Sequence, residues 1–414
     1  ADGLLILAGL VLAQGDTDSA RELTERALTI QTEVVASLLD STSEREQLEL
    51  LRSRRHILDL YLSAHQRPED TQEAYSHVLA WKGVARSSLL RNRETLLAAD
   101  DPQLNKLLQE LTEIRRQIAQ LAFVGDGDEA HWQNLTELTQ QKEELERELA
   151  RSSGDYREGR QVETADSRSV CKALPPQTVL VDIFRYLSVA PDSEPKHVYA
   201  AFVIASCSSI ERIELGSSNP IDASITYYRK KMQTPGADTS DIDAAGGPVR
   251  RAVWDQLADT IGPTSRVLIV PDAGITGLSF DGLLAEDGSY LVEEHTFGYL
   301  ENAADLLRWK KPSRSSGGAL LVGGLDYNAN TTGRPPAAAH THRRAECVDR
   351  SFSRLPGTEL EAWSIADLLE AGQKDITVLS GAEATEAKLT ELVSGQSVVH
   401  LATHGFFATG DCRS

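Results

Sequence analysis

The sequence predicts an α/β protein: an all-helical amino-terminal region, then a mostly parallel sheet flanked by helices. Three observations lead there. Apolar residues recur at helical spacing through about the first 160 residues. Beyond that point, short β-branched and apolar runs alternate with amphipathic segments. The strand candidates are near-continuous apolar runs, the pattern of a parallel sheet covered on both faces. The expected division is residues 1–98, a helical region of repeat type; 99–160, an antiparallel helical hairpin; and 161–414, the α/β domain, incomplete at its carboxyl end.

The first element is the apolar run Gly3–Ala13. It lacks a basic flank and is too short to span a bilayer, so it reads as a buried helix in a chain that begins within a longer protein. Residues 16–40 place Ala20, Leu23, Ala27, Leu28 and Ile30 at helical spacing, after a Gly15-Asp16 turn. This run resembles the second helix of a tetratricopeptide repeat, with one imperfect copy visible. Helical periodicity continues over 44–98 and breaks at Arg67-Pro68. Leu104, Leu107, Leu111, Ile114, Ile118 and Leu121 then follow coiled-coil seam spacing. After the turn Gly125–Asp128, Trp132, Leu135, Leu138, Leu145 and Leu149 resume the stripe, with Lys142 intruding. The outer face of this hairpin is either a partner-binding surface or a solvated charged face.

In the second part, candidate strands are Thr178–Leu187, Val198–Ala205, Ile210–Leu215, Arg266–Val270, Ala319–Gly323, Ile376–Leu379 and Ser397–Thr403. Candidate helices are Ile221–Met232, Val249–Ile261, Thr358–Ala371 and Glu383–Val393. The loop Asn328–Arg354 is long for a compact domain; such loops are functional or disordered, and its composition favours disorder. In this class of fold, sites form at the carboxyl ends of strands.

Composition narrows the function classes. The chain has 414 residues, 41% hydrophobic and 25% charged, with a net charge of −20. That balance argues against nucleic-acid or anionic-membrane binding, which need a basic surface. Four scattered cysteines (Cys171, Cys207, Cys347, Cys412) form no CxxC pair, so a disulfide framework or thiolate zinc cluster is not expected. A reducing cytoplasm fits best. Cys171 and Cys207 read as small apolar residues. Cys347, beside His340 and His342, offers at most a weak metal site. Gly323-Gly324 lacks the surroundings of a phosphate-binding loop. No cofactor is expected.

The chemistry concentrates in Ser397–Phe407. On a strand, His400 and His404 share a face but lie about 13 Å apart at ~3.3 Å per residue, too far to share one ion. A histidine at a strand's carboxyl end can act as general acid or base near neutral pH. A following glycine lets a carbonyl approach the backbone, whose N–H can serve an oxyanion hole. These roles fall to His404 and Gly405. His400, deeper in the strand, reads as a satisfied core histidine.

From about Thr178 onward the sequence resembles the CHAT domain family, which is caspase-like and related to caspases, separases and gingipains. The segments that carry the resemblance are Arg266–Asp272 with Leu278–Leu284, Tyr290–Glu294 as the next strand, Leu320–Tyr327, Leu355–Ala362, Ala382–Thr385 and His400–Gly405. Ser279 departs from the pattern, standing where proline is usual. The resemblance implies a bacterial-type Cys–His endopeptidase, with His404 as its histidine and Gly405 helping to bind the oxyanion. Asp326, from its place at a strand end, reads either as a residue bordering the substrate cleft or as a turn-capping aspartate. A protein or peptide is the implied substrate, and a protein partner on the helical repeats the implied regulator. In the family the nucleophile ends the next strand; this chain stops ten residues after His404, and Cys412 lies too close to serve. The alternative is a catalytically dead CHAT-like scaffold or partner-binding module. A third reading is a helical-repeat adaptor with an unrelated α/β domain.

Overall fold

The computed structural model describes residues 2–39, 42–83, 102–122, 129–154, 166–207, 209–234, 236–263, 266–308, 317–327, 352–370 and 375–404. The chain divides into two compact units, residues 1–114 with 140–309, and residues 115–139 with 310–414.

The first unit is built on a five-stranded sheet in the order β3-β2-β1-β4-β5. Its strands are β1 (Thr178–Ser188), β2 (Lys196–Ser206), β3 (Ser209–Ser217), β4 (Arg266–Val270) and β5 (Thr296–Tyr299). The first three form an antiparallel meander, because short connections permit only a hairpin return. β4 and β5 run parallel to β1, after helical crossovers. The sheet is therefore mixed, and its parallel character begins at β1. The segment Tyr290–Glu294, expected as a strand, is instead a short helix capped by Glu293. The strand follows it at Thr296.

Period-two alternation puts the two faces of β1 into different cores. Leu180, Phe184 and Tyr186 pack among the amino-terminal helices. These are α1 (Asp2–Ala13), α2 (Thr17–Leu39), α3 (Glu44–Arg54), α4 (His56–Ala64) and α5, residues 71–83. Ala20 and Ala27 are fully buried, as their small size leads one to expect for close helix packing, but Ile30 is exposed. Gly3–Ala13 is helical yet only half-buried. Leu5, Ala8 and Leu12 face inward at helical spacing, whereas Ile6, Leu7 and Leu10 are exposed. Asp182 of β1 is buried on this side of the sheet. It accepts from Lys82 Nζ at 2.6 Å and from the Tyr75 hydroxyl at 3.1 Å.

The hairpin helices are α6 (Pro102–Ala122) and α7 (Glu129–Gly154). Leu104, Leu107 and Leu111 pack with Leu145 and Leu149, following the seam read from the sequence. Trp132 is exposed. Part of the polar face of α7 is covered by α3. Arg45 Nε binds Glu143 at 2.5 Å, and Arg147 binds Glu46 at 3.2 Å.

The helix α8 (Ser167–Ala173) carries Cys171, which is joined to Cys207 in a disulfide at the end of β2. This corrects the expectation of unpaired cysteines. The two positions are 36 residues apart in sequence and meet only because α8 folds back against the sheet, which spacing does not reveal. Cysteine usage therefore no longer favours a reducing compartment.

The other face of the sheet, with Val179, Val181 and Ile183, packs against α9 (Ser218–Met232), α10 (Thr239–Ala252), α11 (Ala258–Ile261) and α12 (Leu291–Glu294). The expected helix Val249–Ile261 is the end of α10 plus α11. Among the described residues no helix is long and apolar enough to cross a membrane.

The second unit holds a three-stranded parallel sheet, β7-β6-β8, formed by β6 (Ala319–Leu325), β7 (Ile376–Gly381) and β8 (Val398–Leu401). Ala319 and Leu321 pack on α13 (Pro356–Glu370) through Ala362 and Ala366. Leu320 and Val322 face Leu389 and Leu392 of α14 (Glu386–Val393). Most of the long loop, residues 328–351, lies outside the described residues.

Candidate functional site

β6 and β8 lie side by side and parallel, with Val322 opposite Leu401, so their carboxyl ends open at one edge. The Ala402 N–H donates to the Val322 carbonyl at 2.8 Å, extending the pairing one residue beyond β8. The residues that follow each strand are thereby brought together. The hydroxyls of Tyr327 and Thr403 are 2.8 Å apart, and the His404 backbone N–H donates to the Tyr327 hydroxyl at 3.4 Å.

The His404 ring packs against two aromatic rings, Tyr327 at 5.2 Å and Phe352 at 5.1 Å between centroids. Its Nε2 lies 2.7 Å from the carbonyl oxygen of Ser353. A carbonyl only accepts, so in the neutral imidazole this bond keeps the proton on Nε2 and leaves the lone pair on Nδ1. His404 itself is half-buried. It is oriented by its neighbours while keeping some access to solvent.

Ser353 is placed by the start of α13, which is pressed against the end of β6. The Gly324 N–H donates to Thr358 Oγ1 at 2.9 Å, and that hydroxyl donates to the Leu355 carbonyl at 2.8 Å. A Cβ on Gly323 would meet the Thr358 carbonyl oxygen at 2.1 Å. Gly324 has φ +66°, in the left-handed region. The Gly323-Gly324 pair thus serves close approach of helix to strand.

Asp326 is exposed at the end of β6, with its backbone N–H 3.3 Å from the Gly381 carbonyl. It directly precedes Tyr327. Gly405, the expected oxyanion residue, lies outside the described residues. His400 is not a core residue. Its Nε2 is 2.9 Å from Glu361 Oε1 on α13, and both side chains are partly exposed. Among the described residues β8 is an outer strand of its sheet, and the His400 side chain remains partly open to solvent. The two histidines have different partners, Glu361 and the Ser353 carbonyl.

Sequence reasoning assigned no role to Tyr327, Phe352, Ser353 or Thr403. Tyr327 and Thr403 each follow a strand end and were findable once β6 and β8 were paired. Phe352 and Ser353 gave no signal, because Ser353 lies 51 residues before His404 and acts through its backbone.

The family model of the CHAT domain matches residues 244–413. The carboxyl-terminal part of the chain, including all the residues around His404, is therefore similar to that family. No curated protein matches the chain.

Proposed function

We propose that residues 310–414 carry the histidine side of a caspase-like Cys–His endopeptidase site. The observation that carries this reading is the fixed orientation of His404 at the shared end of two parallel strands. Its Nδ1 is the basic nitrogen, and the Ser353 carbonyl holds the opposite edge of the ring. Such an imidazole can take a thiol proton and return it to a leaving amine. The Ser353 carbonyl would stabilise the imidazolium formed in between. The thiolate would attack the scissile carbonyl carbon, and the Gly405 N–H would receive the developing oxyanion. Asp326 would stand at the rim of the peptide-binding cleft.

The nucleophile is proposed to come from a segment beyond this sequence that pairs along β8. Cys171 and Cys207 are joined to each other, so neither is a free thiolate. The amino-terminal helical region is proposed to receive a regulating protein partner.

The experiment is labelling of the polypeptide extended through the following segment, using a peptide that carries a thiol-reactive electrophile. Covalent labelling that disappears in His404→Ala supports the reading. A chain that is neither labelled nor able to cleave a peptide library overturns it, in favour of a scaffold.

A further inference from the structure

A second group of ligand-type side chains lies far from His404 in sequence, among the amino-terminal helices. Glu73 and His77 stand at i and i+4 on α5, hence on one face of that helix. Glu25 reaches them from α2. Their ligand atoms all lie within 4.8 Å of one another. His65, at the end of α4, puts its Nε2 4.0 Å from Glu25 Oε2.

Two further observations concern the buried polar atoms of this cluster. Tyr61 is fully buried, and its hydroxyl is turned toward the Glu25 carboxylate. It is aimed into the group: its ring stacks on His65 at 3.8 Å and meets His77 edge-on at 4.8 Å, and the carboxylates of Glu25 and Glu73 face its hydroxyl. His77 Nε2 is buried and has no hydrogen-bond partner among the described residues. Buried polar atoms without partners are uncommon and call for a physical reason.

We propose that Glu25, Glu73 and His77, with His65 as fourth ligand, bind a divalent transition-metal ion of the zinc class. Two imidazoles and two carboxylates suit a four-coordinate ion, whereas calcium takes six to eight oxygens. A tetrahedral ion with bonds of about 2.0–2.1 Å holds its ligand atoms roughly 3.4 Å apart, so Glu25, Glu73 and His77 need only small side-chain rotations to close, with His65 moving in from beside Glu25. The His65 ring is already set for it. Nδ1 is 3.0 Å from the Tyr61 carbonyl, which leaves the lone pair on Nε2, facing Glu25. The ion would tie α2, α4 and α5 together on the helical side of the sheet.

The test is titration of the chelator-stripped chain with Zn2+ by calorimetry, and with Co2+ by visible absorption. The expected result is one saturable equivalent, a visible band of tetrahedral cobalt, and a rise in Tm on adding Zn2+. Glu73→Gln, at an exposed position that leaves the fold intact, and His77→Gln should each weaken binding at least about tenfold. The triple change His340→Ala, His342→Ala, Cys347→Ala should leave it unchanged. Absence of a saturable equivalent overturns the proposal. So does binding that survives Glu73→Gln and His77→Gln together, or binding lost in the triple variant.

Discussion

The Nε2 of His404 and the carbonyl oxygen of Ser353 are 2.7 Å apart, although 51 residues separate them in sequence. Because the acceptor is a backbone atom, the side chain of residue 353 is not required. Ser353→Ala is expected to leave the histidine unchanged. Nitrogen-15 NMR of the labelled ring should find the Nε2–H tautomer in the neutral form. The Nδ1–H tautomer would show that the Ser353 bond does not form.

Tyr327 holds His404 in two ways, through its ring and through its hydroxyl. Tyr327→Phe keeps the ring and loses both the 2.8 Å contact with Thr403 and the backbone bond. The expected result is a broadened His404 ring signal with little loss of stability, about 0.5–1.5 kcal/mol for the hydrogen bonds. Chemical denaturation and the NMR line width are the two readouts. An unchanged line width would remove Tyr327 from the positioning of the ring.

Asp182 is fully buried, and burial raises its proton affinity while Lys82 opposes that shift. Removing one partner leaves a charge uncompensated. Lys82→Met is therefore expected to destabilise the first unit by about 3–5 kcal/mol in urea unfolding. Adding Asp182→Leu should restore most of that loss. No restoration in the double variant would mean that Lys82 acts through packing alone.

Asp59 gives a pH dependence with a definite sign. Burial pushes its carboxyl up to about 6 from 3.8, against the pull of Arg55. The folded state therefore holds a proton that the unfolded state releases. The stability this contributes is present in acid and is lost as pH rises through about 6. Asp59→Asn should flatten stability between about pH 4 and 6 and raise it at neutral pH by at most roughly 2–3 kcal/mol. Urea midpoints across that range check it, and an unchanged slope would contradict it.

The Cys171–Cys207 link closes 36 residues, which in the chain-entropy account is worth about 3–4 kcal/mol. Reduction should lower the Tm, and Cys171→Ser should lower it to the same value in the absence of reductant. Equal melting with and without reductant would mean that the pair stays open in solution.

The sequence carried the strands well where burial on both faces made them continuously apolar. Arg266–Val270 is read to the residue, and the ends of β1 and β2 shift by one or two. It did not carry pairing direction, which depends on connection geometry. The short strand Thr296–Tyr299 escaped because its residues are exposed or only half-buried and lack a long apolar run. At the candidate site, His404 was legible from its place before a glycine at a strand end. Its orienting partners were not, since a backbone carbonyl and a ring from a distant loop leave no mark on local pattern. The Cys171–Cys207 pair was hidden for the same reason.

The most direct test of the account is the rate of peptide hydrolysis by the polypeptide extended beyond residue 414, compared with its His404→Ala variant. The account predicts cleavage whose kcat/KM falls by at least about 1,000-fold in the variant, with folding unchanged by circular dichroism. Cleavage that survives His404→Ala within a factor of about three would contradict it.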